Sequence, residues 1–501
     1  MHGHSNVLDT VIFPHNIGLG CTDDADLIER ISRVTALEIR ATGIQWNFAP
    51  CVTVPRDDRW GRTYEGFSED PERVAKLGAA SVRGLQTDDL SNPEAVLACA
   101  KHFVGDGGTV PEMRRSPFHA DEGIYFDQGD ARCDAETMRR VHIAPYLPCL
   151  EEGVASIMPS YSSWNGIKCT GNKELLTDLL KGELGFDGFL ISDYNAIDQV
   201  NPDYKTAIGI CINAGIDMAM ISERHHEYVK NLTELVNEGV VPMERIDDAV
   251  TRILRVKHKM GLLDKDRSQM ADPALMEDFG SPERRELGRE AVRKSLVLLK
   301  NEGALPLNGT QGTIHVTGTG ADDVGMLCGG WTIDWQGGMG EITSGTTILE
   351  GLREVGDATF THSKDGSGAE DAEAVIVVVG EGPYAEGMGD NTELTLSDAD
   401  RSLVLKCAEA DAPLVLVVVS GRPIILDDEV RAAANAIVAA WLPGTEGAGV
   451  ADVLLGKHAP TGNLSFSWPK SADQHPINIG DDDYDPLFPV GYGLSYETGG
   501  E

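Results

Sequence analysis

The stretch GFLISDYNAID, residues 188–198, decides how the first half of the chain reads. Phe189 to Ser192 are apolar or small in succession, the mark of a strand buried on both faces. The run stops at a carboxylate, Asp193, followed by Tyr194 and Asn195. Local pattern leaves two readings open for that acid. An Asp after a strand often caps the next helix. A carboxylate at the C-terminal end of a barrel strand instead faces substrate.

Four neighbouring segments read the same way. GIQWNFAP (43–50), AVLACAKHF (95–103), VASIMPS (154–160) and GIDMAM (215–220) look like buried parallel strands flanking DGFLISD (187–193). Helical patterns separate them. In FSEDPERVAKLGAASVRGLQ (67–86), Ser68 reads as the N-cap, with acids in the first turn and Pro71 just inside. Repeated strand and helix units imply right-handed crossovers and a parallel sheet. Lys101, His102, Tyr161 and Asp193 all fall at the C-terminal ends of these strands. In a (β/α)8 barrel that end is the active-site face, although about five strands fall short of the eight a barrel needs.

The helical stretch 241–262 closes the first half, and the polar residues 264–283 read as a linker. A helix near 283–300 opens the second half. TIHVTG (313–318), AVIVVVG (374–380), PLVLVVVSG (413–421) and AIVAAWLPG (436–444) then read as strands of a second, mostly parallel sheet. The tail from NLSFSWPK to GYGLSYE reads as extended and loop structure packing back. The expected domains are therefore 1–263 and 284–501.

Composition narrows the function classes. The chain has 501 residues, 41% of them hydrophobic, so burying two cores presents no difficulty. No apolar run is long enough to span a bilayer, and the N-terminus lacks a basic-then-apolar leader pattern. The net charge of −38 repels phosphate, which argues against nucleic acid and anionic membranes as partners. Among the cations, 26 Arg outnumber 16 Lys, and acidic tracts such as CTDDAD occupy expected loops. That surface suits a salt-adapted host or reflects ordinary acidic drift. Nine cysteines without a CxxC pair argue against a disulfide framework and a structural zinc site.

Several constellations remain. GTGADDVG (318–325) follows a strand, but its glycine spacing departs from the dinucleotide fingerprint, and a tight turn is the plainer reading. His2, His4, His15 and the His225–His226 pair lack metal-type spacing, so no metal or cofactor is expected. Paired carboxylates fit better, because two acids flanking a glycosidic bond can cleave it, one as nucleophile and one as acid then base. Asp193 is one candidate. The glycine-rich VGEGPYAEGMGD (379–390) supplies Glu381, Glu386 and Asp390, with a solvated turn as the bland alternative. Trp60, Tyr161, Trp164, Trp331 and Trp335 are of the type that stacks on pyranose rings, or that simply fills a core.

Together these segments resemble family 3 glycoside hydrolases, specifically the exo-acting β-glucosidase and β-glucan glucohydrolase branch. The motifs are HGH, VIFPHNIGLG, RDDRWGRTYEGFSEDP, AKHFVGDGGT, SYSSWNG, GFDGFLISDYNAID, NAGIDM, VRKSLVLLKNE, GGWTIDWQG, GEGPYAEGMGDN and YDPLFPVGYGLSY, in family order across almost the whole chain. The resemblance implies a (β/α)8 TIM-like barrel, then an (α/β)6 sandwich, with the site at their junction. It implies Asp193 as nucleophile and Glu386 as acid/base, preferred over Glu381 because the family's acid follows the Tyr and a small residue. It implies that Arg62, Lys101, His102 and Tyr161 hold the innermost glucose, with Trp335 and Trp331 walling an outer subsite. A retaining pair stands about 5–5.5 Å apart.

Three departures accompany the resemblance. Met1 lies inside the first motif, so the barrel is expected to be N-terminally incomplete, without the family's upstream substrate-gripping Asp. Tyr194 stands where the branch usually has Trp. The loop after Thr109 diverges. The implied function is a retaining exo-β-glucosidase on β-glucans or β-glucosides. The alternatives are β-xylosidase specificity or a non-catalytic, unstable sugar-binding remnant, while N-acetylglucosaminidase activity ranks low because AKHFVGDGGT lacks the KHFPGHG-type loop. Oligomeric state and localisation are left open, with periplasmic or secreted placement for a longer form.

Overall fold

The computed structural model describes residues 2–116, 118–307 and 312–496. Glu497, the last residue of GYGLSYE, lies outside them. Two compact units emerge, each discontinuous in sequence: Ile28–Val54 with Val74–Glu277, and Met1–Leu27 with Pro55–Arg73 and Asp278–Glu501.

In the first of these, the apolar runs align side by side in chain order. Trp46 and Cys51 bridge in parallel to Leu97 and Lys101. Strand Cys99–Phe103 pairs in parallel with Ser156–Pro159, which pairs with Phe189–Leu190, and Ile191 bridges Met218. This TIM-like arc joins the five segments expected from the sequence. Leu97, Cys99, Met158, Phe189 and Ile191 pack with Val256 of the helix Met243–Lys259 and with Met260 just after it. Each such buried side chain contributes about 1.5–3 kcal/mol. The NAGIDM motif turns out to be structural. Asp217 is fully buried, accepts from Leu190 N at 2.8 Å and pairs with Lys181 Nζ at 2.8 Å and with Arg245. Burial pulls Lys181 down to about 8 despite that partner.

One local expectation needs correction. The helix after Ser68 begins at Pro71. The Ser68 hydroxyl instead donates to Ser465 O and accepts from Asp70 N, while Asp70 Oδ1 accepts from Glu72 N at the helix start. The divergent loop after Thr109 contains an antiparallel hairpin, Glu112–Ser116 with His119–Tyr125. Its mixed charge and its single β-branched strand residue, Ile124, hid it from pattern reading.

The second unit is built on a six-stranded sheet in the order Thr359–Ser363, Thr313–Thr317, Ala374–Gly380, Leu414–Val419, Ala436–Trp441, Val297–Asn301. All pairs are parallel except the last. Continuous Val/Ile/Leu runs suit strands covered on both faces. Helix Pro282–Ser295 ends five residues before the expected limit, and Val297–Asn301 is a strand, as is Thr359–Ser363, which the sequence reading missed. Ser281 caps the first of these helices, and a Thr347–Glu350 capping box starts Ile348–Val355. In GTGADDVG, Gly318 has φ +101°, and a Cβ there would meet Val378 O at 2.1 Å. That glycine serves close backbone approach in a tight turn. All nine cysteines are free, and eight are buried.

Candidate active site

Strand Phe189–Leu190 delivers Asp193 to the C-terminal end of the arc. Ser192 N donates to Met218 O at 2.9 Å, and Ser192 Oγ accepts from Met220 N at 2.9 Å, so the neighbouring segment fixes the backbone before the acid. The helix-cap reading fails here. The 3₁₀ turn Ala196–Gln199 takes Asn195 as its flanking residue with no side-chain cap. The Asp193 carboxylate instead accepts from Tyr194 N at 2.7 Å and faces His102, with Nε2 3.7 Å from Oδ2. Its side chain is 14% exposed.

His102 is itself held from behind. Its Nδ1 lies 2.8 Å from Asp106 Oδ2, and Asp106 Oδ1 accepts from Thr53 Oγ1 at 2.7 Å and from Gly107 N at 3.1 Å. Lys101 and His102 are both buried at the end of strand Cys99–Phe103. Tyr161, beyond strand Ser156–Pro159, donates its hydroxyl to Tyr194 O. Asp193, His102, Tyr161 and Tyr194 are thus linked within one unit. Asp106 was not singled out in the sequence, although an acid four residues after a strand-end His was its available signal.

The other unit gathers a second group. Arg62 is clamped by Glu65 through two bonds, Nε to Oε1 at 2.7 Å and Nη2 to Oε2 at 2.8 Å. Its remaining Nη1 lies 3.4 Å from Glu386 Oε1. Trp331 Nε1 donates to the same Glu65 at 3.3 Å, and the Trp331 and Trp335 rings stand 6.3 Å apart, Trp335 being 43% exposed. Glu386 opens a 3₁₀ turn with φ +55°, and its side chain is 18% exposed. Gln336 brackets the preceding residue, accepting from Ala385 N at 2.9 Å and donating to Ala385 O at 3.2 Å.

Glu381 occupies a different setting. It accepts from Tyr384 OH at 2.9 Å, from Gly421 N at 3.1 Å and from Arg422 Nε at 3.0 Å. Arg422 is buried and also donates to the carbonyls of Asp58, Arg59, Trp60 and Gly389. Burial works against the Arg422 charge, but Glu381 and Tyr384 outweigh it and hold the guanidinium above its usual range. Glu381 is therefore engaged as a structural counter-ion. Glu65, Gln336 and Arg422 were missed in the sequence, and only Glu65, three residues after Arg62 in RTYE, had a local signal. Elsewhere in this unit, the His2 and His15 rings stack at 3.7 Å, and His2 Nε2 lies 2.9 Å from Thr332 Oγ1. Burial drives His2 well below its usual range and His15 down to about 3.

Residues 1–256 match the Glycosyl hydrolase family 3 N terminal domain, and residues 296–496 match the Glycosyl hydrolase family 3 C-terminal domain. The chain belongs to glycosyl hydrolase family 3. Its family relatives include a periplasmic beta-glucosidase of Salmonella typhimurium, 31% identical over 97% of this chain and 70% of that protein. A lysosomal beta glucosidase of Dictyostelium discoideum is 31% identical over 99% of this chain and 64% of its own length. Among solved structures, an exo-1,3/1,4-beta-glucanase of a Pseudoalteromonas species superposes with a TM-score of 0.90 at 42% identity, covering 99% of this chain and 63% of that one. A beta-glucosidase from Listeria innocua in complex with glucose gives 0.86 at 28% identity, over 99% and 70%. The family 3 chain thus spans between three fifths and three quarters of these relatives. Among its described residues no helix is long and apolar enough to cross a membrane.

Proposed function

We propose that this chain is the catalytic portion of a retaining exo-β-glucosidase that releases glucose from the non-reducing ends of β-glucans or β-glucosides. The observation that carries the reading is the setting of Asp193, a carboxylate ending a core strand without capping the turn that follows. In this mechanism Asp193 attacks the anomeric carbon while Glu386 protonates the departing oxygen, leaving a glucosyl ester on Asp193. Glu386 then takes a proton from water, which attacks the same carbon and frees both glucose and Asp193. Arg62, Lys101, His102 and Tyr161 bind the hydroxyls of the innermost glucose, with His102 oriented by Asp106. Tyr194, Trp331 and Trp335 offer ring faces to the next sugar. The reaction as drawn uses no metal or cofactor.

The test is trapping. A 2-deoxy-2-fluoro-β-glucoside with a good leaving group slows ester hydrolysis more than ester formation, and peptide mass spectrometry should find the fluoroglucosyl group on Asp193. Label on another carboxylate, or turnover without any ester, would sink the assignment. A second specificity, β-xylosidase, is favoured by relatives that include a beta-xylosidase of Formosa agariphila, 31% identical over 99% of this chain and 74% of its own length. Comparing aryl β-glucoside with aryl β-xyloside hydrolysis decides between them.

A further inference from the structure

Three loops follow strands Cys99–Phe103, Ser156–Pro159 and Phe189–Leu190; the first leaves the strand just after His102, and the other two carry Tyr161 and Asp193. The same three loops also line an open cavity of about 440 Å³ whose wall belongs wholly to the unit that holds Asp193. Its wall takes Glu112, Arg114, Gln128 and Asp130 from the first loop, Lys168 from the second and Gln199 from the third. On the hairpin, Glu112 and Arg114 are half-buried while Met113 and Arg115 are exposed. That alternation follows the period of a strand, and it assigns one face of the hairpin to the cavity. Ligand sites on parallel barrels are assembled from loops at this end of the strands.

The lining chemistry selects a class of ligand. Two carboxylates, two cations and two carboxamides balance in charge, so neither an anion nor a cation is favoured. The wall offers both acceptors and donors, as a polyhydroxylated neutral molecule requires. The wall is also joined to the strand end that holds Asp193. Lys168 Nζ donates to Gln199 Oε1 at 3.0 Å and to Tyr161 O at 2.7 Å, and Gln199 Nε2 donates to Gln128 Oε1 at 2.9 Å. Tyr161 in turn donates its hydroxyl to the carbonyl of Tyr194, next to Asp193.

We propose that this cavity is a distal sugar subsite, taking a glucosyl unit further along a β-glucan chain whose non-reducing end lies at Asp193. The proposal rests on the glucosidase reading above, and its test is arranged so that the two can fail separately. Thio-linked β-gluco-oligosaccharides of two to six units resist hydrolysis, so their binding can be read whether or not Asp193 is the nucleophile. Calorimetric titration of the chain should show the dissociation constant falling about tenfold at one chain length and levelling beyond it, the gain expected of one or two added hydrogen bonds. Gln199 is exposed on a surface turn, so Gln199→Ala, which removes its bonds, and Gln199→Trp, which fills the space, should both fold, as circular dichroism and melting would confirm. Each should abolish the step. Equal affinity at every length, or a step that survives both variants, overturns the subsite. No binding at any length overturns both readings, whereas turnover surviving Asp193→Asn overturns only the mechanism.

Discussion

Asp193 and Glu386 reach similar exposure by opposite routes. Asp193 ends a strand whose preceding residues sit in the core and whose backbone is bonded to the adjacent segment at Met218 and Met220. Glu386 begins a turn in a glycine-rich loop, at φ +55°, a conformation that costs a non-glycine residue on the order of 1 kcal/mol. What holds it is a set of side chains reaching to backbone: Gln336 on Ala385, Tyr64 OH on Tyr384 O at 2.8 Å, and Arg422 Nη2 on Gly389 O at 2.7 Å. A carboxylate on a strand inherits its position from the core. A carboxylate on a loop needs a dedicated scaffold, and each member of that scaffold is a place where the position can be lost.

The largest effect should come from the strand side. Asp193→Asn keeps the shape and hydrogen bonding but removes the nucleophile, and kcat should fall on the order of 10⁴-fold or more with little change in melting temperature. Glu386→Gln tests the loop side. It should cost roughly 10²–10⁴-fold on substrates with poor leaving groups and much less on activated aryl glucosides, which need no proton. Added azide should restore turnover by replacing water in the second step. Glu381→Gln, five residues away, should behave in the opposite manner. It leaves the buried Arg422 without its counter-ion and should destabilise the fold by about 3–5 kcal/mol in denaturant titration. If the two variants exchange behaviours, the assignment of Glu386 is wrong.

A finer probe is Gly61→Ala. A Cβ there would stand 2.1 Å from Glu386 O, so the loop must shift away. Turnover should fall about 10- to 100-fold, in kcat more than in KM, as a misplaced catalytic group predicts. No equivalent single substitution is expected to displace Asp193 so selectively, because moving it means disturbing the core strand itself.

The contrast between the two carboxylates also explains what the sequence disclosed. The strand-borne residues were legible because apolar runs mark strands and the first polar residue after a run marks its end, which locates Lys101, His102, Tyr161 and Asp193 directly. The loop-borne residues were not. VGEGPYAEGMGD has no periodicity, and only family resemblance separated Glu386 from Glu381. The contacts that distinguish them, Arg422 on one and Arg62 on the other, span 41 and 324 positions of chain. Long-range partnerships of that kind leave no local trace. The hairpin at residues 112–125 and the strand Val297–Asn301 were missed for related reasons. The first is charged on both faces, and the second follows a helix with one residue between them, so its apolar run blends into the helical pattern.

The last expected effect is one of pH, and it belongs to the unit that holds Glu386. His15 is buried against His2 and meets Tyr64 edge-on at 4.6 Å, next to the segment bearing Arg62 and Glu65. Burial lowers its imidazole to about 3, while the unfolded chain keeps the ordinary value of 6.5. Below pH 6.5 the unfolded state therefore binds a proton that the folded state refuses. The stability contributed is fully present above pH 6.5 and is lost as pH falls from there towards 3, by about 1.4 kcal/mol for each pH unit. His15→Gln cannot take up that proton, so its stability should fall less steeply than the wild type between pH 6 and pH 4. Denaturant titrations at half-unit steps measure the two slopes. Hydrogen exchange at pH 4.5 should then show the wild type opening first around residues 10–22 rather than in strand Phe189–Leu190. Parallel slopes for wild type and variant would show that acid acts elsewhere, and earlier opening of the Asp193 strand would reverse the ranking of the two carboxylate settings.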